Sequence, residues 1–205
     1  MKAFPRNNLI WKFGLLLLAV ILFALSFIFN RFYTNKASLR EEVRKAEKYL
    51  HTHQQDFNRF LQDTALIGRL MHDRETAAEF DNVVAKDYGI FLYQVKETGT
   101  LSLNFWSSQL VLPPSETFPR PDIEEAMHLP NGYYLVVKKT VQLRDETVIA
   151  YAIIPIRSVF FQEKAYLPQK FVYSNRVDPR VFISQGKTAF AVHALSGKEL
   201  FYMDR

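Results

Sequence analysis

The hydrophobic pattern divides the chain into an apolar run, a long helix and a series of strands. The run from Phe13 to Phe29 has about 17 apolar or small residues and no charge, which with its flanks approaches the roughly 20 residues that a bilayer core demands. Lys12 precedes the run, and Arg31 and Lys36 follow it. The pattern predicts one transmembrane helix over residues 13–33.

Two other interpretations of this run stay open. A cleaved secretory signal has a basic start, an apolar centre and small residues before the cut, which Ala24 to Ser26 supply. A helix buried in a protein core is the third interpretation. Basic residues in the leading tail, 1–12, favour a cytoplasmic amino terminus. We therefore expect a single-pass protein of the bacterial inner membrane with residues 36–205 in the periplasm.

Residues 36–74 are predicted to form one long membrane-proximal helix. Its seam positions alternate at spacings of four and three, as in a heptad pattern with two polar positions, at Leu39, Val43, Ala46, Leu50, His53, Phe57, Phe60, Thr64, Ile67 and Met71. No proline interrupts the pattern. The helix is expected to pack against a sheet, to form a homodimer, or to do both along different parts of its length.

From Tyr88 onward the pattern changes to that of strands. Two hairpins are predicted, from strands at 88–95 and 100–107 and from strands at 133–141 and 147–156. The last strand is the most apolar and is expected to be central. Between the two hairpins, four prolines prevent regular strand pairing in residues 109–122. Residues 122–127 are expected to form a short helix. A packed helix or loop is expected at 160–167, followed by small strands at 181–184, 188–193 and 200–203.

Composition excludes several functions. The chain contains no cysteine, which excludes disulfides, thiolate metal sites and a cysteine nucleophile. The net charge is +5 without a dense block of lysine or arginine, so nucleic acid is not an expected partner. The sequence has no phosphate-binding loop, no HExxH and no GxSxG motif. We predict no catalytic residue, no metal site and no cofactor in this chain.

A small anionic ligand suits the aromatic and arginine residues of the predicted sheet. Aromatic walls with one or two guanidinium groups are typical of such sites. The candidate ligand-binding residues are Trp106, Tyr133, Tyr151, Arg120 and Arg157. Trp106 is the strongest of them, because strand alternation places it opposite the apolar face of its strand. The alternative is that the aromatic residues belong to the core and the arginines are solvated.

Three segments resemble a known family. They are NGYYLVVKKT at 131–140, AIIPIR at 152–157 and YLPQKF at 166–171, and they are similar to the amino-terminal part of sensor histidine kinases from Bacteroidetes-type bacteria. The resemblance implies an α+β fold with a PAS-like or Cache-like sensor domain at 75–172, in which the long helix fronts an antiparallel sheet. A small, truncated β-rich segment would follow at 173–205.

The resemblance also implies a function. The chain would be the extracytoplasmic sensor module of a two-component signalling receptor, in which binding to the sheet shifts the long helix. The phosphoacceptor and ATP-binding boxes of such kinases are absent, so kinase activity would belong to a longer protein. The expected partners are the lipid bilayer, a second copy through the long helix, and an unknown small ligand or envelope protein. The alternative is a bitopic envelope scaffold without a sensing role, and an anchored hydrolase is a third class.

Overall fold

The chain consists of two compact units, Met1–Glu41 and Glu42–Arg205. The computed structural model describes residues 7–29, 35–144, 146–159, 170–174 and 177–205. The packed segment predicted at 160–167 lies outside the described residues.

The apolar run forms helix α1, Asn7–Phe29. Its described side chains, those of residues 13–26, are all exposed. Within the described ranges, no helix is both long enough and apolar enough to cross a membrane. This finding contradicts the transmembrane helix predicted at 13–33. The single-pass inner-membrane location, with residues 36–205 in the periplasm, is contradicted with it.

The single helix predicted at 36–74 is two helices, α2 at Asn35–Gln62 and α3 at Thr64–Met71. Asp63 separates them because its ψ angle of 72° is not helical. The Asp63 carboxylate accepts the backbone N–H of Leu66 at 2.9 Å, which caps the first turn of α3. The prediction of one continuous long helix is therefore wrong.

Helix α4, Ala77–Val84, begins with a capping box. The Thr76 hydroxyl accepts the N–H of Glu79, and the Glu79 carboxylate accepts the N–H of Thr76. The same carboxylate binds Arg69 of α3, with Nη2 at 2.5 Å from Oε1. This ion pair joins the two short helices.

The strands form two antiparallel sheets, one of order β2-β1-β5-β4-β3 and one of order β6-β8-β7. The fold is therefore α+β. The strands are β1 Gly89–Val95, β2 Leu101–Trp106, β3 Ile123–Leu129, β4 Gly132–Gln142, β5 Thr147–Ser158, β6 Phe182–Ser184, β7 Ala191–His193 and β8 Glu199–Asp204. The two predicted hairpins are confirmed by the antiparallel pairs β1–β2 and β4–β5. The central position of β5 is confirmed as well.

The short helix predicted at 122–127 is wrong, because this segment is strand β3. It pairs with β4 from Ile123, opposite Lys138, to Leu129, opposite Gly132. A helix of six residues would leave most of its end N–H and C=O groups without partners. The hairpin supplies those partners along its whole length.

The five-stranded sheet has two covered faces. The first, here called the loop face, carries Phe91, Tyr93, Val136 and Tyr151. Residues 107–122 cover it and include one turn of 3₁₀ helix, and the side chains that pack inward from this segment are those of Val111 and Phe118.

The opposite face, here called the helix face, is covered by α2, α3 and α4. Phe80 of α4 lies edge-on to Phe105 of β2, with ring centres 6.3 Å apart. Beyond Glu42, six seam residues of the helices are buried within this single chain, namely Ala46, Leu50, Phe57, Phe60, Ile67 and Met71. The seam therefore packs inside the chain over this part of its length, and the homodimer stays a prediction.

The three-stranded sheet is joined to α2 and β3 by side-chain hydrogen bonds. Gln54 is only 3% exposed, donates its amide to Glu124 of β3 and accepts the N–H of Leu195 at 3.0 Å. Glu47 accepts the backbone N–H of His193 at 3.0 Å and bonds its ring Nδ1 at 2.9 Å. Polar side chains of α2 thus position the small sheet.

Candidate ligand-binding cleft

A cleft of about 530 Å³ opens at the end of the loop face where β1 begins and β5 ends. Gly89, Ile153 and Pro155 line it on the side of the sheet, and the segment from Ser107 to Val111 lines it on the other side. Small-molecule sites commonly occupy roughly 300–1,000 Å³ and combine apolar walls with a few polar groups. The cleft has that size and that composition.

Hydrogen bonds fix both walls of the cleft. Ser107 donates its N–H to the carbonyl of Ile90 at 2.9 Å, and its hydroxyl accepts the Ile90 N–H at 2.8 Å. Asn131 accepts the Tyr134 hydroxyl at 2.8 Å and donates to the carbonyl of Leu110 at 3.4 Å. The turn before β4 is therefore connected to the outer wall.

Two charged side chains, Lys86 and Asp87, line the cleft. The Lys86 ammonium lies 2.6 Å from the carboxylate of Asp56 on α2, which also accepts the Tyr88 hydroxyl at 2.8 Å. Burial alone would raise the pKa of Asp56, but the hydrogen bonds from Lys86 and Tyr88 outweigh it and lower that pKa. The charge of Lys86 is thus neutralised within the chain.

Lys138 fastens the covering segment onto the loop face. It is 2% exposed, and its ammonium donates to the carbonyls of Thr117 at 3.2 Å, Phe118 at 2.9 Å and Arg120 at 2.5 Å. Burial lowers the pKa of Lys138, and the nearby charge of Asp122 opposes that change. A charged donor shared by three carbonyls holds this segment beside the cleft.

Among the predicted ligand-binding residues, Tyr151 lies in the core of the loop face and is fully buried. Its hydroxyl is 3.0 Å from the hydroxyl of Thr117, which donates to the carbonyl of Pro114 at 2.6 Å, so Tyr151 is the donor of this pair. Trp106 ends β2, is 46% exposed, and pairs with Phe91. Tyr151 and Trp106 therefore lie on the same face of the sheet, the loop face.

Tyr133 and Arg157 lie together on the helix face as cross-strand partners. The Tyr133 ring lies 4.6 Å from that of His128, and the Arg157 guanidinium lies 5.2 Å from the centre of the Phe171 ring. Tyr133 and Arg157 are thus on the other side of the sheet from Tyr151.

Arg120 lies in the segment that covers the loop face and forms two hydrogen bonds with Glu125, at 2.9 and 2.6 Å. Arg120 is therefore paired within the chain. The structure brings Tyr133 and Arg157 together but does not gather all five predicted residues, and none of the five lines the cleft. Their role in ligand binding stays a prediction.

The polar residues of the cleft were not predicted from the sequence. Asp87 precedes β1, Ser107 and Ser108 follow β2, and Asn131 is in the turn between β3 and β4. Their common signal is a position at a strand end or turn, where binding residues are often found. That signal is too general to select them.

A second hollow, of about 680 Å³, lies between α3 and the end of the β4–β5 hairpin. Its carboxylate is already bound within the chain, since Glu146 bonds to His72 at 3.0 Å and accepts the amide of Gln94 at 2.7 Å. This hollow is larger, but its one acidic group is committed to two of its own lining side chains. The cleft is the better candidate site.

Comparisons with protein-family models, with curated proteins and with solved structures find no match. Within the described ranges, no group of three or more histidine, aspartate or glutamate side chains is placed to hold a metal ion. The function therefore has to be inferred from the fold and the cleft.

Proposed function

We propose that this chain is the sensing module of a two-component signalling receptor of the histidine-kinase type, and that it binds a small molecule in the cleft. The observation that carries the proposal is a connection from the cleft to helix α2. A sensor needs such a connection, because a ligand shifts an equilibrium only by its differential affinity for two arrangements.

The connection runs through two adjacent chain segments at the end of β5. Ser158 and Val172 line the cleft. Their neighbours Arg157 and Tyr173 belong to the same paired segments, which are held by a bond from Val172 N–H to the carbonyl of Ile156 at 3.0 Å. Neither Arg157 nor Tyr173 lines the cleft, and Arg157 lies on the helix face as the cross-strand partner of Tyr133.

On that side the two residues meet Glu42 of α2. Burial raises the pKa of Tyr173, the negative charge of Glu42 and a hydrogen bond to Glu42 raise it further, and Arg157 lowers it. Glu42 is 6% exposed. Its Oε2 atom, the Tyr173 hydroxyl and the Arg157 Nε are all buried. Buried polar and charged groups are costly unless they stay paired, so a small displacement of these segments would change the energy of the α2 contact.

An interaction module is the second candidate, and the outer wall of the cleft favours it. Leu110 is 80% exposed and Leu112 is 61% exposed. Exposed apolar residues that lie close together are typical of surfaces that bind another protein. An interaction module would need no change at α2 on binding.

The absence of cysteine permits a direct test by spin labelling of the full chain. Thr52 on α2 and Thr98 in the β1–β2 turn are both exposed, and cysteines at these positions report the distance from the helix to the sheet. Labels at Thr98 and Thr140, which both belong to the sheet hairpins, form the control pair.

Compounds would first be selected from a chemically mixed library by thermal shift, and assigned to the cleft by loss of binding in Ser108→Leu.

We expect a cleft ligand to change the 52–98 distance distribution and to leave the 98–140 distribution unchanged. A ligand that binds the cleft without altering either distribution would refute the sensing role and favour the interaction module. A library from which no compound binds the cleft would refute the proposal altogether.

A further inference from the structure

We propose that the ligand of the cleft is an organic amine, whose ammonium group binds Asp87 and whose apolar body lies against Val111 and Ile153. This inference rests on the proposed function, because it names the chemical class that the same cleft accepts.

The first argument is the charge balance of the lining. Lys86 and Asp87 are adjacent in sequence, but they have different partners. The Lys86 ammonium is 2.6 Å from Asp56 and 5.8 Å from the centre of the Tyr88 ring. It is therefore committed to groups on α2 and at the start of β1, and it neither neutralises Asp87 nor remains available for an anion.

The second argument is that Asp87 lacks a counter-charge. Its carboxylate has no hydrogen bond or ion pair within the ranges that the structure describes. It lies near the Tyr49 hydroxyl, which is itself buried without a hydrogen-bond partner. Burial raises the pKa of Tyr49 and the charge of Asp87 raises it further. The Asp87 side chain is exposed, so a positively charged ligand group can reach this carboxylate and pair with it.

The third argument separates an amine from a metal ion. Calcium takes six to eight oxygen ligands, and magnesium binds through carboxylates and several waters. The cleft offers a single carboxylate, and its remaining wall is largely apolar, with Val111, Ile153 and Pro155. A single acid beside an apolar wall fits an ammonium group attached to a hydrocarbon.

The fourth argument separates a simple amine from an anion or an amino acid. Both would bring a negatively charged group, and the lining has no uncommitted cation to receive it. The hydroxyls of the cleft are donors that a neutral oxygen of the ligand can use. Ser107 accepts the Ile90 N–H at 2.8 Å, so its own proton remains available. The cleft thus fits a monoamine, with or without a hydroxyl or carbonyl group.

The test uses three probes of one shape on the full chain: cyclohexylmethylammonium, cyclohexylmethanol and cyclohexanecarboxylate. Binding is measured by saturation-transfer NMR and by titration of backbone amide shifts. We expect the ammonium probe to bind about threefold to fivefold more tightly than the alcohol, because only the ammonium forms an ion pair with Asp87 and an exposed ion pair contributes up to about 1 kcal/mol. Asp87→Asn should abolish this preference.

The matched control is Glu97→Gln, which removes one negative charge from an exposed position in the β1–β2 turn and should leave the preference intact. Both variants alter exposed side chains, and their folding is checked by circular dichroism. If the alcohol or the carboxylate binds the cleft as tightly as the ammonium, or if Asp87→Asn keeps the preference, the amine inference is overturned. The sensing proposal would survive that result, since the spin-label distances test it separately.

Discussion

Replacing Lys138 by methionine should release the segment that covers the loop face. The ammonium of Lys138 bonds to three carbonyls, of which that of Thr117 keeps a second donor, the N–H of Arg120 at 3.3 Å. The carbonyls of Phe118 and Arg120 lose their charged donor. An unpaired buried polar group costs about 1–3 kcal/mol, and removing a buried charge recovers part of that loss. We expect a net loss of about 2 kcal/mol in the free energy of unfolding.

The measurement is the urea midpoint followed by circular dichroism and by the fluorescence of the two tryptophans, of which Trp106 is on β2. In a chain of this size a loss of about 2 kcal/mol corresponds to a melting temperature lower by about 4–8 °C. The matched control is Lys139→Met on the same strand. Its side chain is 42% exposed and lies 3.9 Å from Asp122, so it should cost less than about 0.5 kcal/mol.

The decisive comparison is between these two methionine variants. Equal midpoints for Lys138→Met and Lys139→Met would show that the buried ammonium contributes no more than a surface charge. The explanation of how the segment is held over the loop face would then be wrong.

Two further results are expected. Gln54→Ala should lower the free energy of unfolding by about 1–3 kcal/mol and speed hydrogen exchange in the three-stranded sheet. Gln55→Ala, at an exposed neighbouring position, should do neither, and equal exchange rates in the two variants would contradict this role of Gln54. Arg120 lowers the pKa of Glu125 below its usual 4.5, burial opposes the change, and Lys198 adds to it. Stability from Glu125 is thus complete above pH 4.5 and is lost as the pH falls through the lower pKa of the folded state. Glu125→Gln should reduce the loss of stability at acid pH by less than about 1 kcal/mol, because the Arg120–Glu125 pair is partly exposed. The free energy of unfolding is measured by urea titration at several pH values below 4.5. A dependence on pH that is parallel to that of the wild type would refute this expectation.

The strands of the two main hairpins were predictable because their pattern has period two and their turns contain turn-forming residues. The break in the long helix was not, because Asp63 ends α2 without proline or glycine. Its carboxylate acts through a hydrogen bond to Leu66, and a pattern of apolar positions does not record such a cap. Strand β3 was missed since Glu124, Glu125 and Ala126 favour helices, and the pairing with β4 overrides that preference.

The candidate site could not be predicted for a related reason. The cleft is assembled from segments around residues 86–89, 107–111, 131–134, 153–158 and 172. No spacing along the chain brings these segments together before the sheet order is known. The arginines chosen from the sequence illustrate the same difficulty, because a charged residue near a strand end can as easily be paired within the chain as be available to a ligand.

The two walls of the cleft differ in how far their sequences can vary, and Gly132 is the reason on the sheet side. A Cβ atom at this position would lie 2.3 Å from the carbonyl oxygen of Arg157, so no other residue fits unless β4 and β5 move apart. On the sheet side this position therefore tolerates no substitution. The opposite wall, from Ser107 to Leu110, has partly and fully exposed side chains and can accept substitutions or insertions. Related chains can thus acquire different ligand preferences through one wall alone, while the sheet that supports it stays the same.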